Sequence, residues 1–194
     1  MMKILITVKT YPTLSKKYNE LVCTAGFCEE GRWIRIYPIQ FRQLDYANQY
    51  RKYEWIEIDL EKNKDDFRPE SYHPVNLDAM PKILSKIGTE NNWQGRKTLC
   101  LRKVYDDLTL LINEAKDKNI CMSLAVFKPQ KVINFIWEEV EREWDDSKII
   151  AMKQLNLFEQ SDKELKIVRK LPYKFSYVFE DTQGKKSTLK YTDD

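Results

Sequence analysis

The sequence predicts a mainly β (α+β) fold, in which two small β-barrels are joined by a helical connector. The first and last thirds of the chain alternate apolar and polar residues at period two, whereas the middle carries helical spacing. The chain has no βαβ alternation and no glycine-rich phosphate loop, which disfavours a doubly wound nucleotide-binding fold. We therefore expect barrels over residues 1–72 and 119–194 and the connector over residues 73–118.

The composition is that of a folded protein. The chain has 194 residues, of which 42% are hydrophobic, so it can bury a core. Its 33 Lys and Arg against 30 Asp and Glu leave a net charge of +3, which neither requires nor excludes a polyanionic partner. The start, MMKILITVKTYP, lacks a signal peptide, and no apolar run is long enough to span a membrane. We expect a cytoplasmic protein with reduced cysteines, no cofactor and no membrane partner.

Strand patterns dominate the first third. In KILITV, residues Ile4, Ile6 and Val8 share one face, and YEWIEIDLE alternates in the same way. Between them, LVCTAGFCEEGRWIRIYPI predicts a hairpin whose loop ends at Gly31 in the left-handed conformation. The chain should thus form about four short strands before residue 61.

Helical spacing follows, and then strands return. We predict a short helix from Leu77 to Ile87 and an amphipathic helix from Leu99 to Lys118. Two apolar runs separated at Lys128 and Pro129 predict further strands, and a polar, mixed segment covers residues 145–166. The last two segments, KFSYVFED and KKSTLKYTDD, predict a hairpin that turns around Gly184. Small, partly open barrels of this size include the OB-fold, which binds oligonucleotides or oligosaccharides.

The stretch GRWIRIYPIQFR, residues 31–42, is the richest in cations and aromatic rings. In an extended strand Trp33, Arg35 and Tyr37 share one face, so rings could stack on bases while the guanidinium reaches a phosphate. With a three-residue loop, however, Trp33 lies opposite Phe27 and Arg35 opposite Ala25, which is equally typical of a barrel interior. Both interpretations stay open.

A second aromatic stretch lies near the end of the chain. Residues Tyr173, Phe175, Tyr177 and Phe179 share one face, which is typical either of the hydrophobic side of a strand or of a binding platform. Nearby lysines, including Lys190, serve either to protect a sheet edge or to contact phosphates. Together with the probable loop that precedes the hairpin, the two stretches and their neighbouring lysines predict these nucleic-acid-binding residues: Lys9, Tyr11, Lys16, Lys17, Arg32, Trp33, Arg35, Tyr37, Arg42, Lys174, Lys185 and Lys186.

These motifs support a family resemblance. A hairpin that ends in GRWIRIYP, with a late basic and aromatic strand and a YTD near the end of the sequence, resembles bacterial proteins that carry a dual OB domain. The resemblance implies two OB-like barrels and a nucleic-acid-binding module, often in genomic settings linked to phage defence. We accordingly expect a protein that binds DNA or RNA with little sequence specificity.

Two other classes of function remain as alternatives. A metal-dependent nuclease would use carboxylates such as Glu57, Asp59, Asp65, Asp66 and Glu70. The single histidine, His73, has no nucleophile motif beside it, and the E-x-K letters at residues 114–116 fall on a predicted helix. A protein-interaction subunit would instead use Trp137, Trp144 and Phe158, which lie among charged residues.

Overall fold

The structure is a computed structural model that describes residues 1–15, 19–76, 79–158 and 167–192. Strands outnumber helices in these ranges, so the predicted mainly β class is confirmed. The first nine strands, β1 to β9, are Met2–Lys9, Thr13–Ser15, Asn19–Leu21, Thr24–Cys28, Trp33–Ile36, Glu54–Ile58, Leu60–Lys62, Ser71–Pro74 and Lys82–Lys86.

Seven of these strands form one mixed sheet. Their order is β7-β8-β5-β4-β1-β6-β9, and the β5–β8 pair is parallel whereas the others are antiparallel. Strands β2 and β3 form a separate two-stranded antiparallel sheet. Because β7 and β9 are the two edges, the first sheet is open, and the described residues form no closed barrel.

Isoleucines build the main core on one face of this sheet. Ile4 and Ile6 of β1 pack with Ile34 and Ile36 of β5, and all four are at most 1% exposed. Leu5, on the opposite face, is also fully buried. The centre of the sheet is therefore covered on both sides, which explains why its strands are nearly continuous apolar runs.

The β4–β5 hairpin has the predicted register. Phe27 lies opposite Trp33 and Ala25 lies opposite Arg35. Gly31 adopts the left-handed conformation with φ of 84°, and its N–H donates to the Cys28 carbonyl at 2.9 Å. Because Ile34 and Ile36 point into the core, Trp33 and Arg35 lie on the other face, where they are half-buried.

The remaining elements follow from residue 90. The helices α1, α2 and α3 are Glu90–Cys100, Leu108–Lys116 and Asp146–Phe158, and strands β10 to β14 are Val104–Tyr105, Val126–Phe127, Lys131–Glu139, Tyr173–Glu180 and Lys186–Tyr191. Strands β10 and β11 are parallel, and β12-β13-β14 form an antiparallel three-stranded sheet. No helix among the described ranges has the length and apolarity to cross a bilayer.

Two predicted helices and one segment predicted without a helix need correction. Residues 82–86 of the predicted first helix are strand β9, because they pair with β6; residues 77 and 78 lie outside the described ranges. The predicted 99–118 helix is interrupted, since Val104 and Tyr105 pair with β11 and the Asp107 carboxylate caps a new helix at Thr109 and Leu110. The segment predicted only as polar and mixed contains α3.

A buried carboxylate joins α2 to the last hairpin. Asp181 is 1% exposed and accepts hydrogen bonds from the backbone N–H groups of Leu108, Gln183 and Lys185 at 2.8–3.0 Å. Burial by itself raises the pKa of Asp181, but these donors outweigh it and hold the pKa below its ordinary value. The predicted turn at Gly184, with φ of 77°, is confirmed.

The N-terminal segment also contacts the second half of the chain. The Tyr11 N–H donates to the Thr192 carbonyl at 3.1 Å, and the Tyr11 hydroxyl donates to the Arg169 carbonyl at 2.9 Å. Beside this crossing, Leu14 packs with Met152 of α3 and with Val168. These contacts hold residues 10–14 against the end of the three-stranded sheet.

Candidate nucleic-acid interface

One side of the three-stranded sheet is lined by rings. The strand register places Phe135 opposite Tyr177, and Tyr177 opposite Leu189. One step along, Trp137 lies opposite Phe175, and Phe175 opposite Tyr191. Because side chains alternate along a strand, these residues share one side. We call this side the aromatic face: Phe135, Trp137, Tyr173, Phe175, Tyr177, Leu189 and Tyr191.

The aromatic face is open over most of its extent. Trp137 is 60% exposed, Phe135 45%, Tyr191 44% and Tyr177 43%. The face is buried at the end near Phe179. This side chain is 3% exposed, and its ring centroid lies 5.2 Å from that of Phe127. Exposed rings at this density are unusual for the hydrophobic side of a strand, which normally faces a core.

Contacts between the rings hold them in place. Phe135 stacks on Phe175 with centroids 5.8 Å apart and planes inclined by 8°, and it also contacts Tyr177 at 4.9 Å. Tyr177 meets Tyr191 edge to face at 6.1 Å. Such pairs favour defined ring orientations, so the face presents fixed flat surfaces.

A groove lies at the end of β13 and β14, where residues 10–13 cross, and its lining includes residues from both sides of these strands: Lys174 and Lys190 alternate with the rings of the aromatic face. It encloses about 660 Å³ and shares Tyr173, Phe175 and Tyr191 with the face. We call it the lysine groove, after three cations in its lining, Lys170, Lys174 and Lys190. Tyr11 and Trp144 add two further rings, and Glu141 is the single carboxylate among the described lining residues.

Two groups in the groove are held by backbone carbonyls. The Trp144 Nε1–H donates to the Val168 carbonyl at 2.7 Å, which orients the indole. Lys170 Nζ donates to the Glu143 carbonyl at 3.0 Å. With three lysines and one glutamate, the lining attracts anions.

The 31–42 stretch is arranged differently. The Arg35 side chain is 17% exposed, its Nη1 lies 3.5 Å from Asp66 Oδ2, and its guanidinium lies 5.0 Å from the Tyr37 ring centre. Asp66 also accepts from Arg68 Nε and Ser71 Oγ, both at 2.7 Å. Arg35 is therefore engaged in an internal network centred on a carboxylate.

This network makes a pH-dependent contribution to stability. Hydrogen bonds from Arg68 are the main cause that lowers the pKa of Asp66 far below its ordinary value. Since a carboxyl in the unfolded chain titrates near pH ~4, the contribution is fully present above that pH and is lost as the pH falls toward the lowered folded value.

We expect Asp66→Asn to lower the free energy of unfolding by about 2 kcal/mol at pH 7, because hydrogen bonds to a charged acceptor are lost. Urea unfolding at pH 7, 4 and 3 measures the difference from wild type, which should shrink with acidity. Asp65→Asn, at an exposed neighbouring carboxylate, is the matched control. A difference that stays constant across this range would contradict the account.

The other predicted residues are spread over the surface. Arg32 is exposed, with Nη2 3.7 Å from Glu30 Oε2, and Trp33 packs on Phe27 at 4.0 Å. Lys9 Nζ lies 4.2 Å from the Phe41 ring centre, and Arg42 is exposed. Lys185 Nζ donates to Thr109 Oγ1 at 3.3 Å, and Lys186 lies opposite Glu180. Lys16 and Lys17 lie outside the described residues.

Five of the predicted residues line clefts within the described ranges, and these clefts are separate. The structure brings Tyr11 and Lys174 together in the lysine groove, whereas Arg32 and Trp33 line a second cleft and Tyr37 a third. Residue-by-residue prediction missed Phe135, Tyr191 and Lys170. The alternation of β12 was a usable signal, but the register between β12 and β13 was needed to assign Phe135 to the aromatic face.

The residues considered for catalysis are dispersed. The described residues contain no group of three or more His, Cys, Asp or Glu side chains placed to hold a metal ion. His73 Nδ1 lies 2.9 Å from the Pro74 carbonyl, and Asp59 pairs with the N-terminal amine at 2.8 Å. Glu114 lies on α2, as the sequence predicts.

Comparison with known proteins divides the chain in two. Residues 1–102 match a family model described as Domain of unknown function (DUF8758), and residues 104–193 match one described as Domain of unknown function (DUF8757). No curated protein and no solved structure matches the chain. The first model covers the seven-stranded sheet, and the second covers the aromatic face.

Proposed function

The chain belongs to the family of the domain of unknown function DUF8758, and from its geometry we propose that it binds single-stranded nucleic acid. The aromatic face carries this proposal, because four rings that retain 43–60% exposure lie on one sheet face. The lysine groove lies at the end of the same sheet and would supply cations for the phosphates, with Lys174 and Lys190 at strand positions that alternate with the rings. DNA and RNA share both recognition elements, so either polymer fits the site.

Stacking on the rings supplies most of the affinity. Each base that stacks on an aromatic side chain contributes about 1–3 kcal/mol, and every base has a flat surface, so binding tolerates any sequence. Open sheets with two or three exposed aromatic residues are a known mode of single-strand recognition. Trp137 and Phe135 on β12 are the principal stacking positions because they are the most exposed rings of the face.

The same geometry disfavours a duplex. Bases inside a double helix already stack on one another, so their flat surfaces cannot reach the rings. A duplex would contact only the lysines, through its phosphates, and lose the stacking contribution. Single strands should therefore bind more tightly than duplexes of equal length.

Fluorescence anisotropy at several salt concentrations tests the proposal. The labelled probes are single- and double-stranded DNA and RNA of the same length and sequence. We expect the single strands to bind with micromolar or tighter affinity and the duplexes to bind more weakly than that. Because each neutralised phosphate contributes about −0.7 to the slope of log K against log salt, three lysines predict a slope of roughly −2.

A triple variant isolates the groove. Lys170→Gln, Lys174→Gln and Lys190→Gln together should flatten the salt slope toward zero, whereas Lys64→Gln, Lys82→Gln and Lys86→Gln, at exposed lysines of the first half, should leave it unchanged. Absence of binding to every single strand at low salt would overturn the proposal and favour the protein-interaction alternative. A cytoplasmic location, an OB-like relationship and a role in phage defence stay predictions on which this proposal does not depend.

A further inference from the structure

A second cleft separates the β4–β5 hairpin from residues 102–125. Its volume is about 290 Å³, near the lower end for small-ligand sites, so it has room for one small molecule and none for a polymer. We call it the hairpin cleft and define it by six of its lining residues, Arg32, Trp33, Glu70, Arg102, Lys103 and Tyr105. Its described lining residues and those of the lysine groove do not overlap.

Contacts across the cleft fix its two walls. Arg102 Nη1 donates to the Glu29 carbonyl at 3.3 Å. The backbone N–H of Ser123 donates to Glu70 Oε1 at 2.5 Å. Residues from both family-matched regions therefore build one site, and the cleft is formed by the way these two regions pack.

Two arginines, Arg32 and Arg102, line the cleft at the hairpin turn. Arg102 lies so close to Gly31 that a Cβ at Gly31 would be 2.2 Å from Arg102 Nη1. Arg32 follows Gly31 in the chain. Among the described contacts, the Arg102 guanidinium donates to the Glu29 carbonyl and forms no ion pair with a carboxylate. Arg32 pairs only loosely, at 3.7 Å, with Glu30, and both side chains are 67% exposed, so solvent screens the pair. Both arginines line the cleft, so their guanidinium groups are the donors that would hold an anion such as a phosphate.

The inner part of the cleft suits a flat ring. Trp33 is tilted by 34° against Phe27, which fixes the indole as one wall. Glu70 is 4% exposed, and its Oε1 accepts from both the N–H and the hydroxyl of Ser123. Its second oxygen, Oε2, has no hydrogen bond among the described residues, so it can accept one from a ligand amino group.

We propose that the hairpin cleft binds a mononucleotide whose base carries an amino group. Trp33 stacks on the base, Glu70 Oε2 accepts from the amino group, and Arg102 with Arg32 holds the phosphate. The inference is independent of single-strand binding, because the cleft and the lysine groove are lined by different residues.

Isothermal titration calorimetry with AMP tests this site. Arg102→Gln should weaken AMP binding about ten- to hundredfold, because charge-assisted hydrogen bonds to the phosphate are lost. Arg51→Gln, at another exposed arginine, should have no effect. Adenosine, which lacks the phosphate, and ribose 5-phosphate, which lacks the base, should each bind at least about tenfold more weakly.

Three results would overturn the proposal. The first is that AMP, GMP and CMP give no heat of binding up to millimolar concentration. The second is that the Arg102→Gln variant binds AMP as tightly as wild type. The third is that the Phe135→Ala, Trp137→Ala variant loses AMP binding while the Arg102→Gln variant keeps it. The last result would assign the nucleotide to the aromatic face instead. UMP has no amino group, so binding equal to that of AMP would overturn the role of Glu70.

Discussion

Replacing Phe135 and Trp137 together by alanine is expected to weaken single-strand binding about 30-fold or more. Each ring contributes at least about 1 kcal/mol through stacking, and 1.4 kcal/mol corresponds to a factor of ten in affinity. Both rings are largely exposed, at 45% and 60%, so their loss removes little buried area from the fold. Anisotropy titration measures the change, and the melting temperature verifies that the variant is folded.

Two comparisons make this expectation specific. Tyr46→Ala combined with Phe67→Ala removes two rings that are 82% and 80% exposed but lie outside the aromatic face, and it should leave affinity unchanged. Trp137→Phe keeps a stacking surface and should bind within a few-fold of wild type. A folded Phe135→Ala, Trp137→Ala protein with wild-type affinity would show that the aromatic face does not bind the polymer.

Replacing Gly26 by alanine is expected to be the most damaging single substitution for the fold. Gly26 lies within β4, between β1 and β5, and a Cβ there would be 1.9 Å from the Leu5 carbonyl oxygen and 2.7 Å from its carbon. These are backbone atoms at the centre of the sheet, so the strands must separate. We expect a loss of about 3 kcal/mol or more, which lowers the melting temperature of a chain of this size by roughly 6–12 °C.

Gly184→Ala provides the matched control. Its Cβ would meet nothing within 4 Å, and only the left-handed φ of 77° opposes the change, at about 1 kcal/mol. Calorimetric melting should therefore rank wild type, Gly184→Ala and Gly26→Ala in decreasing order. A Gly26→Ala protein that melts with or above Gly184→Ala would contradict the register of β1 and β4.

The sequence predicted what short-range chemistry determines. Gly31 favours a three-residue loop between β4 and β5. Because the length of a hairpin loop determines which residues of its two strands lie opposite each other, the Phe27–Trp33 pair could be predicted. Strand β9 could not, because Lys82–Lys86 becomes a strand only through its pairing with β6, more than twenty residues earlier. The start of α2 was marked by Asp107, a capping residue that the helical spacing around it obscured.

The candidate site was predictable only in part. The shared face of Tyr173, Phe175 and Tyr177 followed from period two within one strand. Its extension to Phe135 and Trp137 depended on the register with β12, which begins some forty residues earlier and contains a bulge between Val132 and Asn134. The lysine groove exists because Tyr11 crosses the end of β14, a contact that no local pattern encodes.

Crosslinking to a photoreactive single strand locates the bound polymer on the protein. The strand would carry a photoreactive base, and mass spectrometry would identify the protein residues joined to it after irradiation. The account predicts crosslinks to rings of the aromatic face, chiefly Phe135, Trp137 and Tyr177. Crosslinks confined to residues 31–42, with none on β12, β13 or β14, would contradict it and return the site to the hairpin.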